Sequence, residues 1–77
     1  MDVTLPKWGV TMQQATLTRW LVAEGEQIQG GQPIAEIETD KVDVALEAPA
    51  AGTLVKHCAV EGDIVKVGGL VAVIEEA

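Results

Sequence analysis

Apolar and polar residues alternate along several short stretches of the chain, which is the pattern of half-buried β-strands. The alternation is clearest over Thr16–Trp20, and β-branched residues are frequent in the second half of the chain. The stretch Val10–Glu24 lacks Gly and Pro and has room for one or two helical turns, but the period of two favours a strand. Turn-forming residues recur every ~8–12 residues, which is typical of a β-sandwich or flattened barrel. We therefore predict an all-β fold.

The second half of the chain repeats the first. Thr16–Thr39 aligns without a gap with Thr53–Glu76, at a constant shift of 37 positions. Such a repeat indicates duplicated structural units. We do not expect either half to bury its apolar face on its own. The two copies are therefore expected to pack together about an approximate two-fold axis. The identical aligned pairs are Thr16/Thr53, Leu17/Leu54, Glu24/Glu61, Gly25/Gly62, Gly31/Gly68, Ala35/Ala72, Ile37/Ile74 and Glu38/Glu75.

Each half is predicted to run as strand, tight turn, short strand, glycine-containing turn and strand. The tight turns are Glu24–Glu26 and its copy Glu61–Asp63, where glycine permits a positive φ and an acidic side chain can cap the turn. Gly30-Gly31 and Gly68-Gly69 mark the second turn of each half. The two halves are therefore expected to share one backbone path.

A tight hairpin over Pro33–Pro49 is predicted to join the halves. On its first strand, Ala35 and Ile37 alternate with acids, and on its second strand the predicted half-buried residues are Val42, Val44 and Leu46. Only Asp40 and Lys41 separate the two strands. An Asp side chain suits such a turn because it can bond the backbone just downstream. We expect Lys41 at or beside the tip, with acidic neighbours at Glu38, Asp40 and Asp43.

Length and charge restrict the function. The chain has 77 residues and a net charge of −7, so we expect a single small domain over residues 1–77 with a thin core. Acidic charge repels a phosphate backbone and an anionic bilayer alike, and we expect binding to neither nucleic acid nor membrane. No apolar run approaches the ~18 residues of a membrane span. A substrate cleft would consume much of the core, so a self-contained enzyme is not expected.

The single cysteine and single histidine do not suggest a redox or metal site. Cys58 has no partner for an internal disulfide, and with His57 it forms no zinc ligand set. Adjacent strand residues face opposite sides, so the two side chains are not expected to meet. Cys58 aligns with Leu21, which predicts a small core residue, and His57 aligns with Trp20, which predicts packing. The acids are spread over both halves, so no metal site is expected.

The sequence around Lys41 contains a recognisable motif. Glu38-Thr39-Asp40-Lys41-Val42 is followed by Ala48-Pro49 and Gly52-Thr53-Leu54. These residues resemble the attachment motif of the biotinyl/lipoyl-attachment domain family, and most closely the N-terminal lipoyl domains of dihydrolipoyl acyltransferases, the E2 chains of 2-oxo acid or acetoin dehydrogenase complexes. The resemblance covers the whole chain. It includes a first strand and loop at Leu5–Gly9 and Thr11-Met12, and a second strand and turns at Thr16-Leu17, Trp20, Glu24–Glu26 and Gly31.

The resemblance implies a fold and a modification site. Family members form a flattened eight-stranded barrel of two quasi-symmetric four-stranded antiparallel sheets, in agreement with the repeat. Lys41 would carry lipoate on its side-chain nitrogen. Methionines typically flank the lysine of biotinyl carriers, and Asp40 and Val42 do not fit that pattern. Many lipoyl domains have Glu four residues after the lysine, where this chain has Ala45, a difference that bears on partner recognition. The expected recognition residues beside the lysine are Glu38, Thr39, Asp40 and Val42.

The resemblance also implies a carrier with no catalytic residues of its own. Lipoyl-lysine would collect an acyl group from a thiamin-diphosphate-dependent decarboxylase (E1), pass it to coenzyme A at the E2 acyltransferase core, and be reoxidised by a flavin-dependent dihydrolipoyl dehydrogenase (E3). The parent chain is expected to be a dihydrolipoyllysine acyltransferase. An exposed lysine amine is mostly protonated at pH 7 and is then a poor nucleophile. A lipoate ligase or lipoyltransferase therefore has to supply activated lipoate and a base.

The loop after the first strand and the chain ends have expected positions. The loop from Lys7 to Gln13 should lie at the surface near the hairpin. Trp8 in this loop is either an exposed contact for the decarboxylase or a partly buried anchor, and the residues alone favour neither. The two-fold relation places the first and last residues at the end of the domain opposite Lys41.

Three classes of function stay open on the sequence. The first is a lipoyl carrier of an E2 chain, expected to be a monomer as an isolated domain. The second is another carrier, either biotinyl or a glycine-cleavage-type lipoyl protein, and the third is an unmodified lipoyl-like interaction module. The lack of a transit peptide and of disulfides favours the bacterial cytoplasm, with a processed domain of the mitochondrial matrix as the alternative.

Overall fold

Eight short β-strands form the framework of the protein. The computed structural model describes residues 1–9, 12–40 and 42–76. Within these ranges there is no helix, and hence none long and apolar enough to cross a membrane. The strands are β1 (Asp2–Thr4), β2 (Gln14–Trp20), β3 (Gln27–Ile28), β4 (Pro33–Glu38), β5 (Asp43–Glu47), β6 (Gly52–His57), β7 (Ile64–Lys66) and β8 (Leu70–Glu76).

The strands form two four-stranded sheets in which every neighbouring pair is antiparallel. One sheet has the order β1-β8-β6-β3 and the other has the order β5-β4-β2-β7. The order of the second sheet is that of the first with each strand replaced by its copy from the other half. Each half of the chain thus contributes two strands to either sheet. The predicted all-β architecture of two quasi-symmetric four-stranded sheets is confirmed.

Hydrogen bonds between the halves obey the same two-fold relation. The Leu17 amide donates to the Asp63 carbonyl at 2.8 Å, and its copy, the Leu54 amide, donates to the Glu26 carbonyl at 2.9 Å. The two tight turns are therefore held by the opposite half of the chain rather than by their own. This exchange explains why neither half is expected to fold alone.

The tight turns have the backbone that the glycines predict. Gly25 has a φ of 90° and Gly62 a φ of 96°, values that L-residues with a side chain rarely adopt. The Glu26 amide closes the first turn by donating to the Ala23 carbonyl at 3.1 Å. The Asp63 side chain also accepts the Val60 amide at 3.0 Å, so an acidic residue caps the second turn as predicted.

The core lies between the two sheets and is built from aliphatic side chains. Burying a Val, Leu or Ile side chain stabilises the fold by about 1.5–3 kcal/mol. The pairing of β4 with β5 shifts between Pro33 and Ala35, and as a result Ile34 and Ala35 are both buried although they are adjacent. The core residues are Val3, Leu5, Ala15, Leu17, Val22, Ile28, Ile34, Ala35, Ile37, Leu46, Ala48, Leu54, Ala59, Val71, Ala72 and Ile74.

Two burial predictions are wrong, for one reason. Val42 is 59% exposed, and Cys58 is only half-buried. The strand β6 ends at His57, and β5 begins at Asp43. Both residues thus lie one position outside a strand, where the alternation of inward and outward side chains no longer applies. Leu21, the copy of Cys58 in the first half, also lies one position beyond its strand and is 37% exposed.

Candidate functional site: the tip of the β4–β5 hairpin

The β4–β5 hairpin connects the two halves and ends in a four-residue tip. Ile37 pairs with Val44, and Glu38 pairs with Asp43 as the last pair before the tip. Ile37 is 1% exposed, so the stem is anchored in the core within two residues of the tip. The hairpin predicted from the sequence is confirmed, and the tip is the segment 39–42. Lys41 itself lies outside the described residues.

The Thr39 side chain closes this tip. The Thr39 amide donates to the Val42 carbonyl at 2.9 Å. The Thr39 hydroxyl donates to the same carbonyl at 2.7 Å and accepts the Val42 amide at 3.2 Å. The sequence reasoning assigned the capping role to Asp40 instead. A Thr directly after one strand and four residues before the start of the next was the available signal, because Ser and Thr hydroxyls bond nearby backbone in turns.

The described residues of the tip present acidic and exposed side chains. Glu38, Asp40 and Asp43 are exposed, as is Val42, whereas Thr39 is half-buried. The three carboxylates surround the sequence position of Lys41. They do not form a metal site, since no group of three or more His, Cys, Asp or Glu residues in the described part of the chain is arranged to hold a metal ion. Glu38, Thr39, Asp40 and Val42, the expected recognition residues of the hairpin, lie in the tip or directly beside it, and their part in recognition stays a prediction.

The loop that contains Trp8 lies at the same end of the barrel as the hairpin tip. Glu38, the last residue of β4, pairs with Thr16 near the start of β2, and the loop leads directly into β2. The Gln13 carbonyl anchors the end of the loop by accepting the Val67 amide at 3.0 Å. Trp8 is 39% exposed, a value that fits both a contact for the decarboxylase and a partly buried anchor, so its role stays a prediction. Val10 and Thr11 of this loop lie outside the described residues.

The first residue and the end of β8 lie at the opposite end of the barrel. β8 begins next to Gly69, whose amide donates to the Lys66 carbonyl at 2.8 Å, and Lys66 pairs with Gln14 at the hairpin's end. From there β8 runs away from the tip to Glu76. The Met1 ammonium donates to the Ile74 carbonyl at 2.6 Å, near the far end of β8. The predicted position of Met1 is confirmed, while Ala77 lies outside the described residues.

Ala45 faces an acidic residue on the neighbouring strand. It pairs directly with Glu36, and the Glu36 carboxylate lies 3.1 Å from the Arg19 side chain. A Glu at position 45, as in many lipoyl domains, would place two carboxylates opposite each other, and like charges in a cross-strand pair are destabilising. The presence of Glu36 is therefore consistent with the absence of Glu at position 45. In this cross-strand pair the acidic residue lies on β4 instead of β5.

Trp20 and His57 form a stacked pair that the sequence analysis did not predict. Their ring centroids are 3.9 Å apart and their planes are inclined by 8°. The Trp20 indole donates to the Ala59 carbonyl at 3.0 Å, and a His57 ring nitrogen lies 3.0 Å from the Val22 carbonyl. The two residues are copies of each other in the repeat and meet across the two-fold axis. A packing role was predicted for these residues, but their contact with each other was not. The pair lies outside the hairpin site.

Comparison with known proteins agrees with the geometry. The profile of the Biotin_lipoyl family, described as "Biotin-requiring enzyme", matches residues 1–74. The dihydrolipoyllysine-residue acetyltransferase component of the acetoin cleaving system of Cupriavidus necator is 45% identical over 77 residues, covering 100% of this chain. The acetyltransferase component of the pyruvate dehydrogenase complex of Corynebacterium glutamicum is 41% identical over 76 residues, covering 99% of this chain. The chain spans only 21% and 11% of these two relatives.

Solved structures share the whole fold. The lipoyl domain of the 2-oxoglutarate dehydrogenase complex from Azotobacter vinelandii is 30% identical, with a TM-score of 0.79, and the match covers 99% of this chain and 96% of that one. A single-chain, multi-domain long-chain acyl-CoA carboxylase contains the same fold at 21% identity and a TM-score of 0.79, over 7% of its length. The chain therefore belongs to the biotinyl/lipoyl-attachment domain family, and within it to the lipoyl domains.

Proposed function

We propose that this domain is a lipoyl carrier and that the side-chain nitrogen of Lys41 is joined to lipoate by an amide bond. The observation that carries the proposal is the hairpin tip. The motif Asp40-Lys41-Val42 falls in the segment that projects from the end of β4 and β5, in a chain whose relatives are named for dihydrolipoyllysine residues. Of the four lysines in the sequence, Lys41 is the one that falls within this motif.

The described surroundings fit a bulky group on this lysine. Asp40 and Val42, its two neighbours in sequence, are both exposed, so a ligase has access to the segment from both sides. An unperturbed lysine amine is mostly protonated at pH 7, and an ammonium group cannot attack an acyl group. The transferase therefore has to remove a proton as the amide forms, and the leaving group of the activated lipoate departs. Once attached, the dithiolane supplies acyl-transfer and two-electron redox chemistry.

The fold supplies a rigid stem for the lysine. Ile37, one residue before Glu38, is fully packed in the core, and the stem is paired down to Glu38 and Asp43. The last strand, β8, ends at the end of the barrel opposite the hairpin tip. A polypeptide tether on that side leaves the tip free to enter other active sites. Tethering replaces free diffusion by a high effective concentration at each site.

The parent protein is proposed to be the acyltransferase of a 2-oxo acid or acetoin dehydrogenase complex. The two relatives described above are acetyltransferase components, which supports acetyl as the transferred group. The partners are then a thiamin-diphosphate-dependent decarboxylase, the acyltransferase core, a flavin-dependent dihydrolipoyl dehydrogenase and a lipoate ligase or lipoyltransferase. We propose the bacterial cytoplasm as the location, and a monomeric state for the isolated domain.

Intact mass after incubation with a lipoate ligase, ATP and lipoate tests the carrier proposal. We expect one lipoyl group on the wild-type chain and none on the Lys41→Arg variant. Lys66→Arg is the matched control, because Lys66 lies at the same end of the barrel and is expected to leave the modification intact. Modified Lys41→Arg, or a well-folded wild-type chain that a competent ligase leaves bare, contradicts the proposal. A biotin adduct formed by a biotin ligase under matched conditions would favour the biotinyl alternative.

A further inference from the structure

The tip of the β4–β5 hairpin is closed by a side chain where a hairpin ordinarily uses backbone. In a two-residue hairpin loop, the residues that flank the loop exchange two backbone hydrogen bonds. Here the Thr39 amide makes the first of these bonds, to the Val42 carbonyl at 2.9 Å. The Val42 amide instead donates to the Thr39 hydroxyl at 3.2 Å. The same hydroxyl donates to the Val42 carbonyl at 2.7 Å.

We propose that Thr39 is a positioning residue for lipoylation: its hydroxyl selects the tip conformation that the lipoylating enzyme accepts. The inference rests on the carrier function proposed above. It differs from a role in recognition, because the hydroxyl acts through Val42 and does not need to touch the enzyme. Thr39 and Val42 are the two covalent ends of the segment that contains Lys41, so fixing their separation restricts the path open to the residues between them.

The hydrogen bonds within the tip support a positioning role for the Thr39 hydroxyl. Three hydrogen bonds join Thr39 to Val42 in the described part of the tip, and two of the three use the hydroxyl. Val42 itself is 59% exposed, so apolar packing contributes little to holding it. Loss of the hydroxyl therefore loosens the tip while the stem, anchored by Ile37, stays in place.

A looser tip has a defined kinetic consequence. If only a fraction of the tip population has the accepted conformation, the apparent affinity of the enzyme for the domain falls by that fraction. The rate at saturating domain is unaffected, because bound molecules have all adopted the accepted conformation. A positioning role thus appears in KM for the domain rather than in kcat.

The test compares three variants of the full chain in a lipoate ligase assay followed by intact mass. Thr39→Val removes the hydroxyl and keeps the branched shape, and Thr39→Ser keeps the hydroxyl. Thr18→Val is the matched control, since the Thr18 hydroxyl also donates to a backbone carbonyl, that of Glu36 at 2.9 Å, on an exposed part of the same sheet. Thr39→Val is expected to raise KM by about two- to tenfold, the factor that corresponds to one net hydrogen bond. Thr39→Ser and Thr18→Val are expected to stay close to the wild type.

Amide exchange at Val42 provides the readout that separates positioning from direct contact. We expect faster exchange at Val42 in Thr39→Val and near wild-type exchange in Thr39→Ser, with the core amides of β4 unchanged in both. Faster exchange at Val42 with an unchanged KM overturns the inference, and so does a raised KM with unchanged exchange, which would indicate a direct contact. Failure of Thr39→Ser to restore the wild-type KM overturns it as well. If the wild-type chain is not lipoylated at all, it is the carrier function that fails.

Discussion

At Gly25, the energetic cost of a positive φ can be measured with little contribution from steric clashes. Gly25 has a φ of 90°, and a Cβ added at this position would meet no atom within 4 Å. A substitution is therefore penalised by the backbone conformation and not by a clash with a neighbouring element. A residue in such a sparsely populated region costs about 1–3 kcal/mol. For a domain of this size, Tm falls by about 4–8 °C for each kcal/mol.

The order of the variants follows from the same reasoning. Asn tolerates a positive φ better than other residues with a side chain, and β-branched residues tolerate it least. We expect the free energy of unfolding to fall in the order Gly25→Asn, Gly25→Ala, Gly25→Val. The control is Gly9→Ala, because Gly9 also has open space around an added Cβ but does not have a positive φ. This control is expected to be neutral or slightly stabilising.

Urea denaturation followed by circular dichroism measures these differences. The turn assignment would be refuted if Gly25→Ala were as stable as Gly9→Ala. It would also be refuted if Gly25→Val were no worse than Gly25→Asn, since that order cannot arise from a positive φ. Gly62→Ala, the copy with a φ of 96°, is expected to lose a similar amount, which tests the two-fold relation at the level of energetics.

Three further predictions concern contacts outside the hairpin tip. Ala45→Glu places a carboxylate opposite Glu36 and is expected to cost about 0.2–1 kcal/mol at low salt; adding Glu36→Gln should recover that loss in urea denaturation, and no recovery would contradict the pairing. His57→Ala removes the ring stacked on Trp20 and is expected to cost about 0.5–1.5 kcal/mol beyond the lost apolar area, whereas an unchanged urea midpoint would count against the stack. Gly52→Ala brings a methyl group against a carbonyl of β8, so we expect about 1–3 kcal/mol of destabilisation, and a fully stable variant would show that the two strands are farther apart.

The duplication made most of the fold predictable from the sequence. A repeat with a constant shift determines which turns are equivalent, and the positive φ at Gly25 and Gly62 then follows from residue type. Contacts across the two-fold axis were not predictable, because two copies of one position meet only if the axis passes between them. The Trp20–His57 stack is such a contact. The hairpin followed from the alternation of apolar and polar residues, and Lys41 from its motif, whereas the choice between Asp40 and Thr39 as the residue that closes the tip depends on side-chain rotamers.

The two-fold relation also gives the corner that contains the hairpin tip a counterpart in the other half of the chain. In the second sheet, β4 and β5 are neighbours and are joined by the tip, while their copies in the first sheet are β8 and β1. β8 and β1 pair in the same way but belong to the two ends of the described chain, and the Met1 ammonium instead bonds the Ile74 carbonyl of β8. The two-fold relation thus matches the corner formed by β4 and β5, which contains the hairpin tip, with the corner formed by β8 and β1 at the opposite end of the barrel. A lipoyl group on the tip would therefore be separated from Met1 and from the end of β8 by the length of the barrel.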